Sequence, residues 1–209
     1  LLIGFFLGFS SGAGVVISQF YGAKRYDKVQ ETVHTAIVMT LVLGVLFTGI
    51  GIMMVPTMLR LMKMPAGAMV AATEYLTIYF AGILGLMIYN IGAGILRAVG
   101  DSKRPFYFLV FCAIMNTVLD LVFVLGFRMG VEGVALATIA SQLVSAVLVM
   151  RCLLHNEGAL RLDLKNLTFS KDKMVEMLRI GLPAGFQGMV FNISNVLIQS
   201  SVNSFGSLV

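Results

Sequence analysis

Six long apolar runs alternate with short polar segments along the chain. The runs are Leu1–Phe20, His34–Leu59, Tyr75–Leu96, Pro105–Phe127, Gly133–Met150 and a last one beginning near Arg179. About 20 apolar residues in a helix cross the hydrocarbon core of a bilayer, and helices satisfy their own backbone there. The pattern therefore predicts an all-α, polytopic membrane protein with six transmembrane helices. The polar separators read as a turn at Lys24–Glu31, a surface link at Arg60–Thr73, a basic turn at 97–105 and a tight return at Arg128–Glu132. The long connector Arg151–Glu176 completes them. So short a return makes the fourth and fifth spans antiparallel neighbours. Pro105 suits the opening of the fourth helix.

Polar residues inside the runs carry the candidate chemistry. Asp120 is the one formal charge deep inside a span, and Asn116 precedes it by four residues, so both share a helix face. A charged Asp at the bilayer centre costs roughly 2.5–3.5 kcal/mol on insertion scales. Asp120 is thus neutral, paired or turned to a polar cavity. Two roles fit: an ion- or proton-binding group, or a structural carboxylate tying helices together. Thr138, Gln142 and Ser145 form a polar stripe on the next span, placed to face Asn116 and Asp120. Asn90 stands alone in the third span, as an interhelical hydrogen bonder or a cavity lining. In the last span Asn192, Asn195, Gln199 and Asn203 share one helical face with Gly188. Such a strip of amides is costly against lipid and is expected to face protein or an aqueous chamber. Gly4, Gly8 and Gly12 lay a smooth stripe on the first span, where another helix can approach closely.

Composition narrows the class. Charged residues make up 12% and hydrophobic residues 58%, with mean hydropathy +0.94. The excess of basic over acidic residues is a topology signal. Twelve of the fifteen Lys and Arg lie in the links one–two, three–four and five–six; the other links hold Arg60, Lys63 and Arg128. The positive-inside rule puts the first group, with the connector 152–177, in the cytoplasm. Nucleic-acid binding is not needed to explain the charge. Cys112 and Cys152 form no disulfide framework, and His34 and His155 read as interfacial residues. Gly12-Ala-Gly14 and Gly92-Ala-Gly94 lack the third glycine and the preceding strand of a dinucleotide fingerprint. No cofactor motif and no catalytic triad is visible, so an enzyme is disfavoured.

Four stretches, SSGAGVVISQFYGAKR, GILRAVGDSKRPFYF, MNTVLDLVFVLGFRMGVEGVALATIASQ and RIGLPAGFQGMVFNISNVLIQSSVNSFG, resemble the multidrug and toxic compound extrusion (MATE) transporter family in order and spacing. The resemblance implies a twelve-helix, two-bundle transporter, of which this chain is a fragment covering helices two to seven. Residues 1–151 would be part of the first bundle, 152–177 a connector, and 178–209 the first helix of the second. The missing helices of the same full-length chain would be its partners. One branch of the family holds a cation through an Asn and an Asp four apart on the fifth helix, a Thr on the sixth and an Asp on the first, a helix outside the fragment expected here. Asn116, Asp120 and Thr138 match these in type and spacing. Another branch carries a Glu in helix seven; here Phe191 is near that place.

The implied function is a sodium- or proton-coupled antiporter in the cytoplasmic membrane. It would export cationic amphipathic organic compounds through a chamber lined by Asn90, Gln142, Asn192, Asn195 and Gln199. Proton and metal cation would compete for Asp120, with Asn116 and Thr138 adding neutral oxygens suited to a hard ion such as Na+. Two other readings are a lipid-linked oligosaccharide flippase of related architecture and a non-transporting membrane scaffold. No Arg sits mid-span to hold a phosphate, which counts against the flippase.

Overall fold

A computed structural model of the chain describes residues 2–61, 66–156, 158–163 and 167–204. The side chains of 2, 3, 61, 66, 192, 193, 196, 197 and 199–204 are outside that description. Six α-helices follow in order: α1 (Leu2–Gly22), α2 (Tyr26–Leu61), α3 (Ala66–Ala98), α4 (Lys103–Leu121), α5 (Val131–Leu154) and α6 (Lys171–Ser204). A π-helical turn, Val122–Gly126, continues α4. Among the described residues, α2 to α5 are long and apolar enough to cross a membrane. The all-α membrane fold is as the hydrophobic pattern predicts.

The polar separators are shorter than their composition suggests. The segment read as a turn at Lys24–Glu31 is already helical from Tyr26, and Lys28 and Glu31 pair across one helical turn at 2.8 Å. The link read as surface-lying, Arg60–Thr73, is mostly helix, since α3 starts at Ala66; Pro65 lies outside the described residues. Helix α6 starts at Lys171, ahead of the span read from near Arg179, so the mild helical pattern around Lys171–Met177 is its first two turns. Polarity marks where a helix leaves lipid, not where it ends. At 36 residues α2 measures about 54 Å, well beyond the roughly 30 Å core. Pro56 lies inside α2 without ending it.

Packing is uneven along the bundle. Val16 and Ile17 of α1, Val29 and Val33 of α2, Ile95 and Leu96 of α3, and Val149 and Leu153 of α5 form one buried cluster. Leu160 and Leu162 of the connector and Met177 of α6 close it. These residues sit at the end of the bundle where the connector lies. The connector is pinned there by polar contacts. The Asp163 N–H donates to His34 Nε2 (3.3 Å) and the Ser170 N–H to Thr35 Oγ1 (3.1 Å). His34, read as interfacial, is instead buried under this strap.

The glycine stripe of α1 packs on α6. A Cβ on Gly12 would lie 2.7 Å from Gly181 N, and one on Gly181 would lie 2.8 Å from Gly8 O. Backbone meets backbone at this crossing, so only glycine fits. Helix α4 is the opposite case. It packs on α5, touches α3 lightly, and buries only Pro105 and Cys112. Phe106, Phe111, Ile114, Val118 and Leu125 are exposed on it, as a lipid-facing helix requires.

Candidate functional site

The α4–α5 hairpin positions the central residues. Three contacts fix its register: Arg104 Nη1 donates to Cys152 Sγ at 3.6 Å, the Cys112 thiol bonds Ser145, and Gly133 abuts Phe123. All three keep nearly the same antiparallel offset. That offset sets Asn116 level with Ser141, beside Gln142, and Asp120 level with Ala137, beside Thr138. The Asn and the Asp of one helix thus stand at the heights of the amide and the hydroxyl of the other. The short turn after the π-helical segment enforces this, with Arg128 in the left-handed region at φ 55°.

A cavity of about 350 Å³ opens between α3, α4 and α5. Its polar lining is Asn90, Asn116, Thr138, Ser141, Gln142 and Ser145. The hydroxyl hydrogens point away from it. Thr138 Oγ1 donates to Val134 O (2.9 Å), Ser141 Oγ to Thr138 O and Ser145 Oγ to Gln142 O (both 2.8 Å). Asn90 Nδ2 donates to Leu86 O (2.8 Å), and Tyr89 Oη to Pro105 O (3.1 Å). Each hydroxyl that commits its hydrogen to backbone keeps only acceptor lone pairs for the cavity, whereas an amide nitrogen keeps its second hydrogen. The hydroxyls of the lining therefore act as acceptors, and its amides offer both oxygen and N–H.

Three buried polar atoms have no hydrogen-bond partner among the described residues: Asn116 Nδ2, Asp120 Oδ1 and Gln142 Oε1. All three belong to this hairpin. A half-turn about its terminal bond exchanges the Asn116 nitrogen for its oxygen within the same shape. Leaving a buried polar group unpaired costs about 1–3 kcal/mol, more for a charge. Three such groups on one hairpin are a poor structural tie. With the Asn116 amide turned, all three present oxygen, and a hard cation takes neutral and anionic oxygens in any mixture.

The placement of the other expected residues is mixed. Asp120 is half-buried and lies one helical turn beyond Asn116, just outside the cavity wall. Asn90 also borders a second cavity of about 450 Å³ between α1 and α3, which Ser10, Ser18 and Arg97 line. Its backbone carbonyl accepts Ser10 Oγ at 3.2 Å. Asn195 on α6 is exposed. The side chains of Asn192, Gln199 and Asn203 lie outside the described residues. Ser141 was missed in the sequence. Its place one residue from Gln142 gave it away only once the α3–α5 contact was known.

The MatE family model matches residues 1–122. "Probable multidrug resistance protein YoeA" of Bacillus subtilis is 32% identical over 99% of the chain and 46% of its own length. Among solved structures, an outward-facing conformation of a multidrug resistance MATE family transporter of the MOP superfamily superposes with TM-score 0.91 at 26% identity. It covers 98% of this chain and 46% of that one. An inward-facing conformation of such a transporter gives TM-score 0.85 at 26% identity, over 92% and 44%. The chain spans about half the length of the relatives it matches.

Proposed function

The chain belongs to the MatE family, and from that premise we propose that it supplies the cation-binding bundle of an antiporter. The complete transporter exports cationic amphipathic organic compounds across the cytoplasmic membrane. Sodium or protons drive it, with no further cofactor. The observation that supports this best is the set of buried, unpaired Asn116, Asp120 and Gln142 atoms on the α4–α5 hairpin, at and just beyond the wall of the cavity. Asp120, Asn116 and Thr138 hold the coupling ion. Asn90, Gln142, Asn192, Asn195 and Gln199 line the path of the organic substrate.

The exchange follows from charge. A carboxyl shielded from water is stable when neutral or when a cation sits beside it. Proton and metal ion therefore displace one another at Asp120. If the occupied and empty bundle favour opposite-facing conformations, a gradient of the ion drives the substrate outward. The excess of Lys and Arg in the links one–two, three–four and five–six supports a cytoplasmic side for them and for the connector 152–177. The cavity lining contains no Arg, so it offers nothing to a lipid-linked phosphate as a flippase would need.

The test uses the complete protein in energised vesicles. Asp120→Asn is expected to abolish ion-coupled dye efflux while insertion and abundance stay normal. Efflux at the unsubstituted rate from that variant removes Asp120 from the mechanism and the proposal with it.

A further inference from the structure

We infer that the outer groove between α3 and α5 holds an acyl chain of an anionic phospholipid, with Arg151 on the lipid phosphate. The groove has a volume of about 330 Å³. Gly85 and Ala146, both buried, form its floor, and Ile88, Leu143 and Val147 stand along it. Every residue of its lining except Arg151 is apolar. Two residues along a helix turn the face by about 200°. Ile88 therefore points away from Asn90, and Val147 away from Ser145. The groove thus lies on the far side of this helix pair from the polar cavity. Leu143 and Val147 are exposed there, so that side meets lipid.

Arg151 gives the groove a charged end. Helix α5 has 24 residues, a length of about 36 Å, and Arg151 lies in its last turn. The hydrocarbon core is about 30 Å thick, so this turn stands at headgroup level. Leu143, Val147 and Arg151 follow at intervals of four, in one row on one face. The Arg151 guanidinium is exposed and has no ion-pair or hydrogen-bond partner among the described residues. Arg104, by contrast, pairs with Asp101 and bonds Cys152. A free guanidinium binds two phosphate oxygens at once. The groove alone would take any lipid chain, and the arginine alone any anion. Together they select a chain joined to a negative headgroup.

Binding of phosphatidylglycerol to the purified complete protein, read as lipid-bound mass by native mass spectrometry, tests the assignment. Arg151→Gln is expected to weaken it about tenfold. Arg151 is exposed, so this variant keeps the fold. Lys103→Gln removes a charge at the same end of the bundle, next to Arg104, and is expected to leave binding unchanged. Phosphatidylcholine, with no net charge, is expected to bind about fivefold more weakly than phosphatidylglycerol. Soluble glycerol phosphate in large excess is expected to leave the lipid in place, because it has no chain for the groove. The assignment is overturned if Arg151→Gln binds as the unsubstituted protein does, if Lys103→Gln weakens binding as much, if phosphatidylcholine binds as tightly, or if glycerol phosphate displaces the lipid. The readout is lipid binding and not efflux, so this assignment and the antiporter reading fail separately.

Discussion

Replacing Gly8 by alanine tests the α1–α6 crossing. The added Cβ would lie 2.5 Å from Gly185 N and 2.6 Å from Gly181 O, and all its close neighbours are backbone atoms. No side chain can rotate away to make room. Ordinary carbon contacts begin near 3.5 Å, so the helices must separate by roughly 1 Å. Overpacking of this kind costs about 1–3 kcal/mol, and more where both sides are rigid. Alanine returns about 1 kcal/mol through its better helix propensity. Both sides are rigid backbone here, so the upper end of the cost applies and the net is a loss of about 2 kcal/mol. At about 2–4 °C per kcal/mol, apparent Tm should fall by a few degrees in detergent. Gly49→Ala is the matched control. Nothing lies within 4 Å of its Cβ position, so only the propensity gain remains and the protein should hold or rise. The assay is thermal unfolding of the complete protein with both variants purified in parallel. Equal melting of Gly8→Ala and the unsubstituted protein would refute the close approach of these helices.

Thr138→Val should weaken sodium binding while leaving the melting temperature almost unchanged, because the hydroxyl's hydrogen goes to its own helix at Val134 O; calorimetry and a thermal melt check the two halves. Thr35→Val removes the acceptor for the Ser170 N–H, a loss of about 1–3 kcal/mol local to the strap, so limited proteolysis should cut the 155–170 connector faster. Gly100→Ala should destabilise the α3–α4 turn by about 1 kcal/mol or more, since Gly100 sits at φ +91°, and melting of that variant checks it.

The fold was largely legible in the hydrophobic pattern, and the reason is physical. Lipid forbids unpaired backbone, so an apolar run of sufficient length has one solution. Helix ends were not legible. Tyr26–Glu31 is polar because it stands outside the lipid, and a polar helix resembles a turn in composition. The glycine stripe announced a close helix contact but not its partner, because Gly181 and Gly185 are far away in sequence. His34 was misread for the same reason: Asp163 and Thr168, which approach it, come from the connector.

At the site, four-residue spacing put Asn116 with Asp120, and Thr138 with Gln142, on shared faces. The tight return made the two faces neighbours. What spacing could not convey is where hydrogens point. Thr138, Ser141 and Ser145 turn theirs to backbone, which leaves these three hydroxyls as acceptors. Nor could it reveal that Asp120 lies just beyond the cavity wall while Asn116 forms part of it.

The most direct measurement of the central claim is anomalous diffraction from crystals of the complete protein soaked in thallium(I), a stand-in for a monovalent metal cation. A peak between α4 and α5, within ligand distance of Asp120, Asn116 and Thr138, is the predicted result. A peak only elsewhere, or none at this hairpin while thallium is bound at other positions, contradicts it.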